Sequence, residues 1–339
     1  MEQNIAYACL TKHCETGLGQ QEAVHWINNN LSDSSYSFQF FEDESNRIAN
    51  VLKQLGIVTS DAVSIYQPRS PESISTFFAI LKNQALSCIL FSTLGEEGLF
   101  DRLDNSHAKI VVTKKRLIRK ILSIKDNLPH LNYVLVTDID EHQSESVLSL
   151  KKLMTEASPT FDFPHNVDGE LSAFLQYTSG STGRPKGALH VHGGLKDMVQ
   201  SFHDILEVKP GDIYWCTADF AWITGLVYGI IVPMFTATHQ IQFGGTYNAL
   251  SWLKILQSQQ INVWYTAPTA LRMLMQEDLA MIKAHNTSHL HRIYSVGEPL
   301  NPEIFVWGKQ VFEREIYDTW FQSETGCIMI ANHTGQPVK

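Results

Sequence analysis

The stretch LSAFLQYTSGSTGRPKGALHV, residues 171–191, decides how the chain is read. Its first part, LSAFLQY (171–177), is an apolar run that reads as a buried strand, and Ala188 to Val191 form a second short apolar segment. A helix-like stretch begins at Gly194. The loop between, YTSGSTGRPKG (177–187), holds three glycines, the hydroxyls of Thr178, Ser179, Ser181 and Thr182, and the cations Arg184 and Lys186. A flexible backbone rich in N–H and O–H donors, with cations beside it, suits a polyphosphate. A Gly/Ser segment can also be a plain linker or turn. Its place between two buried strands argues against that. The loop does not match G-x-x-x-x-G-K-[ST], because Lys186 follows Pro185 and precedes Gly187 and so opens no helix. The chain is not a standard P-loop NTPase.

Outward from the loop, strands and helices alternate. Glu44–Leu55 carries a helical stripe (Ile48, Ala49, Val51, Leu52, Leu55) that stops at Gly56. Strands are expected at 62–66, 86–91, 109–113 and 133–137, and helices at 71–82, with proline at the first turn, and 96–103. After the loop the alternation resumes, with strands at 187–191, 212–216, 238–243, 261–265 and 292–296. Helices are expected at 194–206, 223–235, 247–258, 268–276 and 301–312. Such succession predicts an α/β fold of two αβ subdomains, with mostly parallel sheets covered by helices. The expected division is 1–137, a polar linker or excursion at 138–170, and 171–339.

Composition narrows the function. The 339 residues are 44% hydrophobic and 18% charged, with a formal net charge of −9, which disfavours a nucleic-acid partner. The basic run KKRLIRK (114–120) alternates with Leu117 and Ile118 and reads as one solvated helix face. No signal peptide is evident at the N-terminus. The longest apolar stretch, Ile223–Phe235, is too short to cross a bilayer and reads as a buried helix, so no membrane role is expected. Five scattered cysteines without C-x-x-C spacing look like reduced thiols of a cytoplasmic protein.

Four later segments stand out: DIYWCTADFAWITG (212–225), YTAPTALRML (265–274), SVGEPLNPE (295–303) and YDTWFQSETG (317–326). Each falls at or just past the end of an expected strand, the edge where doubly wound sheets bind ligands. Together with the loop they resemble the adenylate-forming superfamily, and within it the short-chain acyl-CoA synthetases of the acetate type. The resemblance spans roughly residues 40–332 and is strongest from 172 onward.

Members of that family activate a carboxylate with ATP to an acyl-adenylate and pyrophosphate, and coenzyme A then displaces AMP. The resemblance implies that Thr178, Ser179, Gly180, Ser181, Thr182, Gly183 and Lys186 cradle the β- and γ-phosphates. It implies an adenosine pocket between Gly297, Glu298 and Pro299 on one side and Asp318, Thr319 and Trp320 on the other, the backbone of the latter reading the adenine edge. Phe321 and Gln322 belong to the same ATP wall, and Ser323 would touch the α-phosphate. Glu324 would hold Mg²⁺, a hard cation suited to carboxylate and phosphate oxygens. Trp222, Ile223, Thr224, Val296 and Phe321 would form the acyl pocket, with Thr224 and Asn248 towards coenzyme A. Phe321 stands where the acetate enzymes are expected to carry tryptophan, so acetate is the first choice and propionate stays open.

Other readings stand beside these. Val296 and Ile223 could be core residues, Trp320 and Phe321 aromatic core, and Glu324 a solvated carboxylate. His190 and His192 follow the loop without a third ligand in spacing and read as structural. The sequence stops soon after QSETG, whereas the resemblance implies a β-barrel subdomain, a ribose-gripping aspartate and a C-terminal domain with the adenylation lysine. No catalytic residue is therefore assigned within these 339 residues. The expectation is a truncated member with little or no activity alone, self-associating through the surface those parts would cover. The alternative is a non-catalytic nucleotide-binding or interaction remnant.

Overall fold

The computed structural model describes residues 2–178 and 184–336. Two compact units emerge. One comprises residues 1–20 and 38–194, the other 21–37 and 195–339. This division differs from the expected one. The strand pair on either side of the Gly/Ser loop belongs to the first unit, and the second recruits a hairpin from near the N-terminus. Residues 138–170 are not a bare linker, since they hold a strand, Val147–Ser149, and a helix, Leu150–Glu156.

The first unit is built on a seven-stranded sheet. Its order is Lys186–Val191, Ser172–Thr178, Leu86–Leu90, Ala62–Tyr66, Ile110–Thr113, Tyr133–Val136 and Val147–Ser149. All neighbours are parallel except the first pair, an antiparallel ladder that registers Thr178 opposite Lys186. Helices Phe38–Gln54 and Pro71–Lys82 pack together. The first buries Phe41, Ile48, Val51 and Leu52 along one stripe. The second starts at Ser70, whose hydroxyl accepts the Ser73 N–H at 3.2 Å, with Pro71 at the first helical position.

Where the two helices meet, Lys82 has no exposed side-chain surface. Its ammonium lies 2.8 Å from Glu42 Oε2 and donates to Asn46 Oδ1 at 2.6 Å. Asn46 in turn donates to Glu42 Oε1 and to the Pro159 carbonyl. The charge is buried but fully partnered, the condition under which such a group is tolerated. The basic run 114–120 is only partly the solvated face expected: Leu117 and Ile118 are buried and Lys115, Arg116 and Arg119 exposed, but Lys114 is half-buried and pairs with Glu72, and the half-buried Lys120 donates to the Leu94 carbonyl.

The second unit is built on an eight-stranded sheet. The order is Ile330–Ala331, Ile316–Trp320, Arg292–Ser295, Val263–Thr266, Ile213–Cys216, His239–Phe243, Glu22–Ile27 and Asp33–Ser37. The six inner strands are parallel and the two outermost antiparallel. Its core stacks Trp215, Trp252 and Trp264 against Leu253, Leu271, Ile293 and Ile316. The apolar stretch 223–235 is a buried helix, as expected, and contains a π-turn at Val227–Ile231. Pro233 removes the N–H that a regular helix would aim at the Gly229 carbonyl. That carbonyl instead accepts from the buried Gln242 Nε2 at 2.6 Å. Among the described residues, no helix is long and apolar enough to cross a membrane, and none of the five cysteines forms a disulfide.

His190 and His192 are both buried in the first unit. His190 stacks on Phe174 with ring centroids 4.6 Å apart, and His192 Nδ1 accepts the Ile5 N–H at 3.1 Å. Burial pulls His192 down to about 4 from the ordinary 6.5, so the folded ring is neutral at pH 7. Below pH 6.5 the unfolded chain takes up a proton that the folded one refuses, so stability falls as pH drops from 6.5 towards 4 and is flat above. The full loss is about 3 kcal/mol. Denaturant midpoints at pH 7 and pH 4.5 check this: His192→Asn should lower the difference between them, and an unchanged difference would assign the acid sensitivity elsewhere.

Candidate functional site

The second unit's sheet reverses its direction of growth once. From Ile213–Cys216 the chain steps to His239–Phe243 on one side, then crosses back to Val263–Thr266 on the other and continues outward to Arg292–Ser295 and Ile316–Trp320. Loops leaving the two strands at the reversal part from one another and open a crevice at the carboxyl ends. A cavity of about 550 Å³ lies there. It is lined by Thr217–Asp219, Trp222–Thr224, Trp252, Ala267, Thr269, Ala270, Val296–Glu298, Phe321 and Ser323. Segments following four parallel strands thus converge on one cavity, of the size that takes a small organic ligand.

Hydroxyls fasten those strand ends together. Thr217 Oγ1 donates to Thr266 Oγ1 at 2.7 Å. The buried Tyr265 hydroxyl shares a hydrogen bond with Thr319 Oγ1 at 2.8 Å, and Thr319 Oγ1 also reaches the Ser295 carbonyl at 2.8 Å. Ser295 Oγ donates to the Asp318 carboxylate. Burial holds the Tyr265 phenol well above its ordinary value, so it stays protonated. These bonds fix the walls, and of the residues that make them only Thr217 also lines the cavity.

Each wall has its own local cause. Asp219 closes the loop 217–222: its carbonyl accepts the Trp222 N–H at 2.9 Å and its Oδ1 the Ala221 N–H at 2.9 Å. The helix that starts at Ile223 then passes so close that a Cβ on Gly225 would sit 2.0 Å from the Asp219 carbonyl oxygen, which leaves room only for glycine. Opposite, Gly297 turns with φ +94°, a conformation that glycine adopts without strain. Glu298 next to it caps the helix Pro268–Met275. It accepts the Thr269 N–H at 2.8 Å and the Thr269 hydroxyl, and lies 3.8 Å from Arg272 Nη2.

Phe321 meets Tyr228 edge-on, with centroids 5.5 Å apart and planes at 77°. Tyr228 sits in the π-turn and is buried. Its hydroxyl lies 2.7 Å from Ser201 Oγ and accepts the Ile328 N–H at 2.8 Å. The segment 321–328 is therefore seated on one phenol. Within that segment Gln322 N–H donates to Thr325 Oγ1 at 3.2 Å, and Ser323 faces the cavity.

Of the residues singled out in the sequence, Trp222, Ile223, Thr224, Val296, Gly297, Glu298, Phe321 and Ser323 line this cavity together. Pro299, Asp318, Thr319, Trp320, Gln322 and Glu324 do not line it. Asp318 and Thr319 spend their side chains on the strand-end bonds. The Asp318 and Trp320 carbonyls accept from Asn332 and Met329 N–H groups at 2.9 and 3.0 Å, which leaves less free backbone there than an adenine-reading edge implies. Trp320 and Glu324 are exposed. Asn248 is the N-cap of the helix Ala249–Ser258, its Oδ1 accepting the Ser251 N–H at 3.0 Å, and does not line the cavity. Thr178 and Lys186 are cross-strand partners in the first unit, Lys186 exposed. Ser179, Gly180, Ser181, Thr182 and Gly183 lie outside the described residues.

Sequence reading singled out the segments that hold Thr217–Asp219, Ala267, Thr269 and Ala270 but gave these residues no role, and it missed Trp252. Their position just beyond strands, or one turn into the next helix, was the available signal. A second cavity of about 570 Å³, in the first unit, is lined by Glu44, Arg47, Glu72 and Lys151 among others and by none of the motif residues.

The family described as "AMP-binding enzyme" matches residues 12–339. An acetyl-coenzyme A synthetase from Bacillus subtilis is 38% identical over 99% of this chain and 58% of its own length. Acetyl-coenzyme A synthetase 2 from Pseudomonas aeruginosa is 34% identical over 96% of this chain and 54% of its own length. The crystal structure of an acyl-CoA synthetase from Brucella canis superposes with a TM-score of 0.91 at 25% identity, covering 100% of this chain and 61% of that one. The chain thus spans little more than half the length of these relatives.

The seat under segment 321–328 is testable. Tyr228→Phe keeps the ring beneath Phe321 but strands the buried Ile328 N–H and removes the Ser201 contact, at a cost of about 1–3 kcal/mol. Denaturant unfolding should show that loss. A change below ~0.5 kcal/mol would mean that the hydroxyl does not hold the segment.

Proposed function

The chain belongs to the AMP-binding enzymes, and from that premise we propose that it carries the nucleotide and acyl determinants of an AMP-forming acetate–CoA ligase. The observation that carries the reading is the convergence of four strand-end segments on one cavity at the sheet's reversal point. The carboxylate of a short acid attacks the α-phosphorus of ATP, pyrophosphate leaves, and the thiol of coenzyme A then displaces AMP from the acyl-adenylate. Such displacement needs positioning and charge neutralisation more than covalent help from the protein.

The roles follow the cavity. Trp222, Ile223, Val296 and Phe321 supply an apolar wall for a short acyl chain. The Gly297 turn offers backbone against which a flat adenosine can lie, and Ser323 offers a hydroxyl to the α-phosphate. Thr224, 8% exposed at the cavity wall, is assigned to the pantetheine side. Lys186 and the hydroxyls from Thr178 onward are assigned to the β- and γ-phosphates. The exposed Glu324 carboxylate forms no ion pair among the described residues, and as a hard oxygen donor it suits Mg²⁺. Bound there, Mg²⁺ would neutralise charge on the polyphosphate.

Acetate is the favoured acid because Phe321, braced by Tyr228, closes the apolar wall. The 339 residues alone are proposed to bind nucleotide with little or no ligase turnover, since the relatives they match are nearly twice as long. Trp320, Met329 and Ile330, all at least half exposed, offer an apolar surface for self-association. A purely scaffolding remnant is the second reading, and it differs in predicting no nucleotide affinity.

Calorimetry decides between them. The purified chain should bind ATP in the presence of Mg²⁺, with acetate-dependent ATP–pyrophosphate exchange weak or absent. No heat of binding would overturn the nucleotide reading, and robust exchange would overturn the low turnover. For the acyl wall, Phe321→Gly should shift preference among alkyl-adenylate analogues towards longer chains, by about 10–200-fold per methylene. An unchanged order of affinities would remove Phe321 from the acyl pocket.

A further inference from the structure

At the amino end of the second unit's sheet, on the side opposite the cavity, Glu22, His25 and His239 bring one ligand atom each to within 4.8 Å of one another. Glu22 and His239 open neighbouring parallel strands, with His25 registered beside Ile241. A strand's faces alternate, so residues three apart would ordinarily point opposite ways. Here a bulge between Glu22 and Val24 shifts the pairing to Asp33–Ser37. Such an extra residue re-aims a side chain, and it brings Glu22 to the face of His25.

The hydrogen bonding constrains the protons. His25 Nε2 lies 3.1 Å from Asp33 Oδ2. An ionised carboxylate only accepts, so the bond places a hydrogen on Nε2 and leaves the Nδ1 lone pair of a neutral ring outward. That lone pair faces Glu22 Oε2 at 3.4 Å, and the other Glu22 oxygen lies 3.0 Å from His239 Nε2. Between the His25 lone pair and the Glu22 carboxylate two acceptors face one another, which calls for a proton or a metal ion there. The carboxylate–imidazole pair behind the ligand is also the arrangement that orients metal-bound histidines.

We propose that His25 Nδ1, His239 Nε2 and a Glu22 carboxylate oxygen bind a Zn²⁺ ion, with water in the fourth position and Asp33 fixing the His25 ring. Two imidazoles and one carboxylate suit a borderline divalent cation and not Mg²⁺. Tetrahedral bonds of about 2.0–2.2 Å place ligand atoms roughly 3.3–3.5 Å apart, so the present spacing needs only small side-chain shifts. The ion would fasten the hairpin of residues 22–37 to the strand His239–Phe243. It sits apart from the carboxyl-end cavity and is independent of the nucleotide reading.

The test uses the untagged chain, stripped with chelator and titrated with Zn²⁺ against a chromophoric competitor. The chain holds 14 histidines, so the site is identified by what variants remove. The expected result is one tight equivalent, undisplaced by excess Mg²⁺, that raises Tm. His239→Ala and Glu22→Gln should abolish both the equivalent and the Tm rise. Asp33→Asn should weaken binding about 10–100-fold while leaving the metal-free Tm unchanged. His239 is exposed, so its replacement leaves the fold intact, and Glu22→Gln preserves shape if it does not. No tight equivalent in the wild type, or one retained in both variants, overturns the proposal and leaves a proton as the cation between the rings.

Discussion

The second unit depends on a single reversal in strand order. Parallel strands must be joined by crossovers, and crossovers that leave in opposite directions cannot cover the same strand ends. Here the reversal falls between Ile213–Cys216 and Val263–Thr266, and every wall of the cavity except Trp252, which comes from the helix after His239–Phe243, is a segment leaving one of four neighbouring strands or opening the helix that follows. The row of Thr217–Thr266, Tyr265–Thr319 and Ser295–Asp318 contacts then ties these strand ends together, the second reaching across the intervening strand Arg292–Ser295. Position comes from the sheet and precision from these hydroxyls.

Much of this was legible in sequence because the governing signals are local. Pro71 behind Ser70, the stripe of Phe38–Gln54 and the apolar runs 62–66, 110–113 and 292–295 announce themselves within a few residues. The motif segments could be placed at strand ends for the same reason. The unread elements are held by distant partners. Glu22–Ile27 is a strand because it pairs with His239–Phe243, more than 200 residues away, and its antiparallel neighbour Asp33–Ser37 is polar and mostly exposed. Ile316–Trp320 received no strand range of its own, since its Asp and Thr dilute the apolar pattern, although YDTWFQSETG was placed at a strand end. The division into units went astray at the same places.

Side-chain roles divide similarly. Residue types that suit a nucleotide could be assigned from motifs, yet several prove to be engaged in the architecture. Asn248 caps a helix, Asp318 ties two strands, and Glu298 anchors the Gly297 turn to a helix N-terminus. These bonds do not remove them from function, but they make the neighbouring backbone and apolar faces the groups that meet a ligand. Aromatic anchoring of Phe321 on Tyr228 depends on a π-turn that Pro233 and Gln242 sustain, a connection no local pattern would disclose.

The central claim is that the carboxyl-end cavity of the second unit holds the activated acyl group and its adenosine. A crystal structure of the chain with a non-hydrolysable alkyl-adenylate is the most direct measurement. The account predicts density with the alkyl group against Ile223, Val296 and Phe321 and the nucleoside along the Gly297 turn. Density confined to the first-unit cavity beside Glu44, Arg47 and Glu72, or spread over the surface, would contradict it.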